Sequence, residues 1–333
     1  MPISARQLER KLLRPAFTLV ELLVVMGILA MMASMVLVGL SSAAEQARLN
    51  RTRSQVQKIH ELLMPRWEEY RYRRVPPSSA ANPRLKARDR VDAIRALMRM
   101  EMPCHIEDVK LGASGSVTPT GDEPALWNFY QRRVMTRAGG FGGWTISFDD
   151  AECLYMILES IQDGDTNGLD YFKESEFGDL DGDGMPEILD GWGRPIRFLR
   201  WAPGFIGVRS NLHRRDAPDP LDPLNVRGGR GQSAGTGIYD HFPLYPLVIS
   251  AGPDEQLDIP FRVDDTDEMA AMITGTAASP VIPNDPYIPI SSPSQPLYDG
   301  RLFGEEFDVD ADGYEAYFDN ISNHQLVIAG NDQ

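Results

Sequence analysis

Residues 17–40 form an apolar run of 24 residues in which Glu21 is the only charge. A helix over this run is roughly 36 Å long at about 1.5 Å per residue, enough to cross a bilayer with some tilt. A charge inside such a span costs about 2.5–3.5 kcal/mol on insertion scales, so Glu21 needs a partner and is a candidate functional group. Ahead of the run lie Arg6, Arg10, Lys11 and Arg14 against Glu9. That bias keeps the N-terminus cytoplasmic and sends everything after Leu40 outward. The leader carries +3 of a chain charge of −15, which leaves −18 on the remainder. Acidity on that scale argues against nucleic acid and against an anionic membrane surface as partners of the exported part.

Two plainer readings compete. An ordinary secretory signal would end at Ser41-Ser42-Ala43-Ala44, with cleavage before Glu45. Its apolar core should span about 7–15 residues, and this one is longer. A simple single-pass anchor has no use for Glu21.

The stretch Ala16-Phe17-Thr18-Leu19-Val20-Glu21-Leu22-Leu23-Val24-Val25 resembles the leader of the type IV prepilin class, which includes the pseudopilins of type II secretion. The resemblance implies that a membrane peptidase cuts between Ala16 and Phe17 and methylates the new amine. Ala16 stands where the family has Gly. It also implies that Glu21, fifth in the mature chain, helps dock the subunit into a helical filament. An N-terminal cation and a carboxylate in lipid can neutralise each other between neighbouring subunits.

The helix is expected to continue beyond the membrane. Residues 43–64 hold no Gly or Pro, and Leu49, Val56, Ile59 and Leu63 recur at helical spacing on one stripe. Pro65 is expected to kink or end it, which gives a helix of roughly 70 Å from Phe17 to Met64. The organisation expected is a cleaved leader at 1–16, a transmembrane half-helix at 17–40, its exported half at 41–77 and a globular head at 78–333. Within the head, 88–100, 124–137 and 149–162 have helical spacing. Residues 195–199, 245–250 and 325–328 have strand character, and 211–237 and 274–296 are loop-like.

Two head segments widen the resemblance. Asp190-Gly191-Trp192-Gly193-Arg194-Pro195 is similar to the turn that leads into the sheet of the major pseudopilin, with Gly191 in place of Pro. Ser250-Ala251-Gly252-Pro253-Asp254-Glu255 is similar to the stretch after its next strand, with Glu255 in place of Gly. The fold class expected is α+β and type IV pilin-like: a long N-terminal membrane-spanning helix packed on a small antiparallel sheet, with large helical and loop insertions.

Three aspartate-rich loops carry the second chemical signal. Calcium takes six to eight oxygens, and a twelve-residue loop can supply them from positions 1, 3, 5, 7, 9 and 12 with Gly at 6. The first loop offers Asp163, Asp165, Asn167, the Leu169 carbonyl, Tyr171 and Glu174. The second offers Asp179, Asp181, Asp183, the Met185 carbonyl, Glu187 and Asp190. The third offers Asp308, Asp310, Asp312, the Tyr314 carbonyl and Asp319, with Ala316 at its ninth position. Alternate acids converge only if the loop wraps an ion, so between one and three bound Ca²⁺ ions are expected. The plainer reading makes them solvated Asp-Gly turns. The resemblance agrees with calcium, because pseudopilin heads commonly use it to hold a loop.

Cys104 and Cys153 admit a disulfide between two helical segments or two small buried hydrophobes, and their spacing does not decide. The five histidines, His60, His105, His213, His241 and His324, are scattered, and no HExxH, GxSxG or phosphate-loop pattern occurs. No enzyme activity is expected. The resemblance implies an inner-membrane, single-pass subunit with a periplasmic head, processed by prepilin peptidase and joined to other pilin-like subunits and secretion-system assembly proteins in a periplasmic fibre. A type IV pilus or DNA-uptake subunit shares the same leader, and a non-polymerising anchored calcium-binding module is the third reading.

Overall fold

The computed structural model describes residues 18–110, 123–227, 240–259, 261–262, 286–287, 301–307 and 318–326, and the chain divides into two compact units, 1–47 and 48–333. Helix α1, Leu19–Glu69, is 51 residues long. Its residues from Leu19 to Leu40 are all exposed, as an uninterrupted apolar surface must be when no lipid or partner covers it. From residue 48 onward one stripe is buried: Thr52, Gln55, Val56, Ile59, Leu63 and Trp67. The expected Val56, Ile59 and Leu63 lie on this stripe, and Leu49 is half-buried.

Of the two outcomes expected at Pro65, a kink or an end, the end does not occur; α1 runs on to Glu69 and into a 3-10 turn at Tyr70–Tyr72. A proline inside a helix costs about 3 kcal/mol. Burial of Trp67 and Tyr70, each large enough to contribute about 1.5–3 kcal/mol, offsets that cost. Arg66 adds three hydrogen bonds, to Ser160 Oγ at 2.7 Å, the Glu101 carbonyl at 2.9 Å and Tyr130 Oη at 3.2 Å.

Among the described residues, four further α-helices follow before the first strand: α2 (Pro83–Glu101), α3 (Ile106–Lys110), α4 (Ala125–Arg137) and α5 (Asp149–Ser160). Helix α2 starts five residues ahead of the expected Arg88, because Asn82 Oδ1 caps it through the Arg84 N–H at 2.8 Å and Pro83 occupies the first helical position. Short antiparallel pairs come next, β1 (Gln162–Asp163) with β2 (Thr166–Asn167) and β3 (Phe177–Gly178) with β4 (Glu187–Ile188).

The central sheet has the order β5-β6-β7, from Arg197–Leu199, Leu247–Ser250 and Ile321–Ser322, all antiparallel. Its register pairs Phe198 with Val248 and Ser250 with Ile321. Period-two alternation gives it two buried faces. Phe198 and Val248 join α1, α2, α4 and α5 in the main core, while Leu199, Leu247 and Ile249 pack with Ala202, Phe205, Ile259 and Phe261.

The third strand is not the 325–328 run expected. It is Ile321–Ser322, and Asn323–Leu326 is a helical turn, α6. Asn323 replaces the missing strand pairing with its side chain, accepting from the Val248 N–H at 2.9 Å and donating to the Pro246 carbonyl at 2.9 Å. Residues 327 and 328 lie outside the described residues.

Candidate functional site

The first unit carries Glu21. Thr18 precedes α1, and the pair forms a capping box: the Thr18 N–H and hydroxyl donate to Glu21 Oε2 at 2.9 and 3.0 Å, and the Glu21 N–H donates to Thr18 Oγ1 at 3.2 Å. The signal Thr-x-x-Glu was legible in the sequence, and it supplies Glu21 with local donors. Ala16 and Phe17 lie outside the described residues. Among those described, α1 is the one helix long and apolar enough to cross a membrane, with a mean hydropathy of 2.6 over its most apolar 18 residues.

In the second unit the aspartate loops are used in different ways. In the first loop, β1 and β2 form a tight hairpin, and Asp163 Oδ2 accepts from Tyr171 Oη at 2.7 Å. Asn167 Oδ1 caps the following 3-10 turn through the Leu169 N–H at 2.9 Å, and its Nδ2 donates to the Glu159 carbonyl at 2.8 Å. The Asn167 amide is thus committed to backbone partners. Asp165 and Glu174 are exposed.

The second loop is the connection of the β3–β4 hairpin. Asp179 takes the Gly182 and Gly184 N–H groups at 2.7 and 3.0 Å, and Asp183 takes the Met185 and Thr145 N–H groups at 2.8 and 2.7 Å. Gly184 has φ 91°, and a Cβ there would stand 2.7 Å from the Arg137 carbonyl oxygen, so the turn requires glycine. Glu187 opens β4 and is fully buried; the Met185 side chain lies in the main core.

Asp190, the twelfth position, serves a different purpose. It is buried and accepts from the Trp192 and Arg194 N–H groups at 2.8 and 3.0 Å and from Ser250 Oγ at 2.6 Å. Arg194 Nε donates to Glu255 Oε2 at 2.7 Å. The two head segments that resemble the pseudopilin are therefore joined side by side. The turn also rests on α1: the Gly191 N–H donates to Thr52 Oγ1 at 2.9 Å and Gln55 Nε2 to the Leu189 carbonyl at 2.9 Å. A Cβ at Gly191 would come within 2.6 Å of the Arg48 carbonyl oxygen.

Sequence reasoning missed one acid. Glu152, on the first turn of α5, is fully buried, and one oxygen each from Glu152, Asp181 and Glu187 lie within 4.8 Å of one another. Asp179, Asp181 and Asp183 form a second such group, so acidic clusters able to hold a metal ion are present among the described residues. Burial, reinforced by Asp183, Asp181 and Glu187, pushes the Glu152 carboxyl up to about 10. Burial and the neighbouring Asp181 and Asp179 push Glu187 up to about 7. Leaving a buried carboxylate oxygen without a partner costs on the order of 1–3 kcal/mol or more, which the head tolerates here three times over. The one hint in the sequence was Asp149-Asp150-Ala151-Glu152, three acids opening a helix that is otherwise apolar on its inner face.

Of the third loop's donors only Asp319 is among the described residues. It accepts from the Asp254 N–H at 3.3 Å, and burial together with the Asp254 charge raises its carboxyl to about 6. Asp308, Asp310, Asp312 and Tyr314 lie outside the described residues. Cys104 and Cys153 are both buried and both free, so the structure holds two buried thiols and not the bond. The Cys104 thiol donates to Asp108 Oδ2 at 3.6 Å, and burial pushes the Cys153 thiol well up.

Residues 14–37 match the family described as the prokaryotic N-terminal methylation motif. No curated protein and no solved structure matches the chain. The matched segment contains the Thr18–Glu21 capping box and most of the exposed apolar helix. It is the prepilin-type signature of type IV pilin-like proteins.

Proposed function

We propose that this chain is a structural subunit of a type II secretion pseudopilus, cut between Ala16 and Phe17 by prepilin peptidase, methylated at Phe17 and assembled into a periplasmic fibre that drives protein export. The observation that carries the reading is the methylation motif at 14–37, with Glu21 at the head of the exposed apolar stretch Leu19–Leu40 of α1. Apolar halves of α1 pack together in the fibre core, and Glu21 pairs with the N-terminal amine of a neighbour. That pairing removes a penalty of about 2.5–3.5 kcal/mol for a carboxylate in lipid; before assembly, the Thr18 donors partly satisfy it. The preference for a secretion-type head rests on the resemblance of segments 190–195 and 250–255 to the major pseudopilin, two segments that the fold brings into contact. The protein sits in the inner membrane with its head in the periplasm, and calcium, the ion that the donor register of loop 179–190 suits, stabilises that head. The role is structural and involves no catalytic step.

Intact mass and N-terminal sequencing of the membrane-extracted protein test the reading. A chain starting at Phe17 and heavier by one methyl group is expected. A start at Met1 or at Glu45 would exclude assembly. Glu21→Ala should leave the head folded and abolish incorporation into the fibre, and loss of export without loss of surface pili would separate secretion from a pilus.

A further inference from the structure

Three carboxylates from two separated stretches of chain meet where α5 faces the β3–β4 hairpin. Each has one oxygen held by a protein donor. Trp144 Nε1 donates to Glu152 Oε2, the Thr145 hydroxyl to Asp181 Oδ2, and the Leu180 N–H to Glu187 Oε2 at 3.2 Å. The other oxygen of each, Glu152 Oε1, Asp181 Oδ1 and Glu187 Oε1, is buried and has no hydrogen-bond partner among the described residues. Glu152 and Glu187 are 0 % exposed, so water from bulk does not reach them.

We infer that Glu152, Asp181 and Glu187 together hold one calcium ion between α5 and the β3–β4 hairpin, with Glu152 taking the place that the loop register gives to Asp190. The inference deepens the calcium reading of loop 179–190 and rests on it, but it does not depend on fibre assembly. A proton on Glu152 answers the open oxygen of one neighbour at most, whereas one cation answers all three. The outer donors fix the rotation of each carboxylate, as second-shell groups do at metal sites. The donors are all oxygens and come from a loop and a helix at uneven spacing. That set suits the irregular, oxygen-rich shell of calcium better than the strict octahedron of magnesium, and it lacks the thiolate or imidazole that zinc favours. Asp190 is unsuited to the twelfth position because both its oxygens already hold the 190–195 turn and Ser250. The ion therefore acts as a clamp: it ties a helix of the main core to the hairpin that leads directly into that turn.

Calcium titration and thermal melts of the full-length protein in detergent test this, using the wild type, Glu152→Gln, Asp181→Asn and Glu174→Gln. Glu152→Gln and Asp181→Asn are expected to weaken calcium binding at least tenfold, and Glu174→Gln to leave it unchanged. Glu152→Gln should also melt above the wild type without calcium, because it removes carboxylate crowding, and below it with calcium. A merely structural Glu152 would not produce that reversal. Wild-type affinity in Glu152→Gln with loss of affinity in Asp181→Asn would overturn the clamp and leave the calcium reading of the loop intact. No calcium binding by the wild type would overturn both. Equal protection by magnesium at equal concentration would overturn the choice of ion.

Discussion

Loops 163–174 and 179–190 carry the same alternating register of oxygen donors, and the fold uses them differently. In the first, the acids and amide serve the chain's own backbone and hydroxyls: Asn167 caps a 3-10 turn and Asp163 holds the Tyr171 hydroxyl. In the second, buried carboxylate oxygens remain open, and a carboxylate from α5, Glu152, stands with them. Spacing within a loop is thus not enough to make an ion site. The deciding factor is whether another element delivers a further acid and seals the group from water.

The largest effect that would break this contrast is removal of calcium. At a hundredfold excess over Kd a bound ion adds about 2.7 kcal/mol to folding. A chelator should then lower the melting temperature by about 5–10 °C in a domain of this order. Asp181→Asn should cut that response by about half or more, whereas Asp163→Asn should retain it; equal responses in both would erase the difference between the loops.

Acid sharpens the contrast by acting outside both loops. His213 packs among Phe205, Phe242, Tyr245 and His324, its Nδ1–H donates to the Phe205 carbonyl at 2.8 Å and its Nε2 accepts from the Tyr245 N–H at 2.9 Å, and burial lowers its pKa to about 4. The unfolded state therefore binds the proton first, at a pKa near 6.5. The stability contributed by neutral His213 is complete above that pH and is lost as pH falls toward 4, by up to about 3 kcal/mol. Urea midpoints at pH 7 and pH 4.5 should differ accordingly, and His213→Gln should flatten the difference.

Smaller effects probe the first loop alone. Asn167→Ala removes a capping oxygen and should cost about 1 kcal/mol, with the calcium response unchanged. Glu174→Gln, at an exposed position, should fall within about 0.5 kcal/mol of the wild type. A larger change from either substitution that appears only in the presence of calcium would give the first loop an ion as well.

The parts of the molecule with local causes were legible. The apolar run, the buried stripe of α1 beyond residue 48, and α4 and α5 within a residue or two all follow from spacing. The start of α2 is equally local, in Asn82-Pro83, as is the Thr18-x-x-Glu21 box at the start of α1. Elsewhere tertiary contacts overrode local signals. Trp67, Tyr70 and Arg66 carry the helix through Pro65, and the Asn323 amide ends the sheet two residues into β7. Asp190 looked like a ligand by register, yet its partners Trp192, Arg194 and Ser250 belong to a turn and a strand that the register does not include.

By itself, the sequence determined the apolar first part of α1, a long helix whose one charge up to Leu40 is a carboxylate near its start, because helix formation and hydropathy depend on composition and nearest neighbours. It also determined that acidic turns flank the sheet. Only the tertiary structure decided which turn keeps its oxygens open. That depends on α5 packing against β4 and β5, which brings Glu152 to residues 29 and 35 positions further along the chain. Burial then removes the water that would otherwise have satisfied all three acids and hidden their difference from any other Asp-Gly loop.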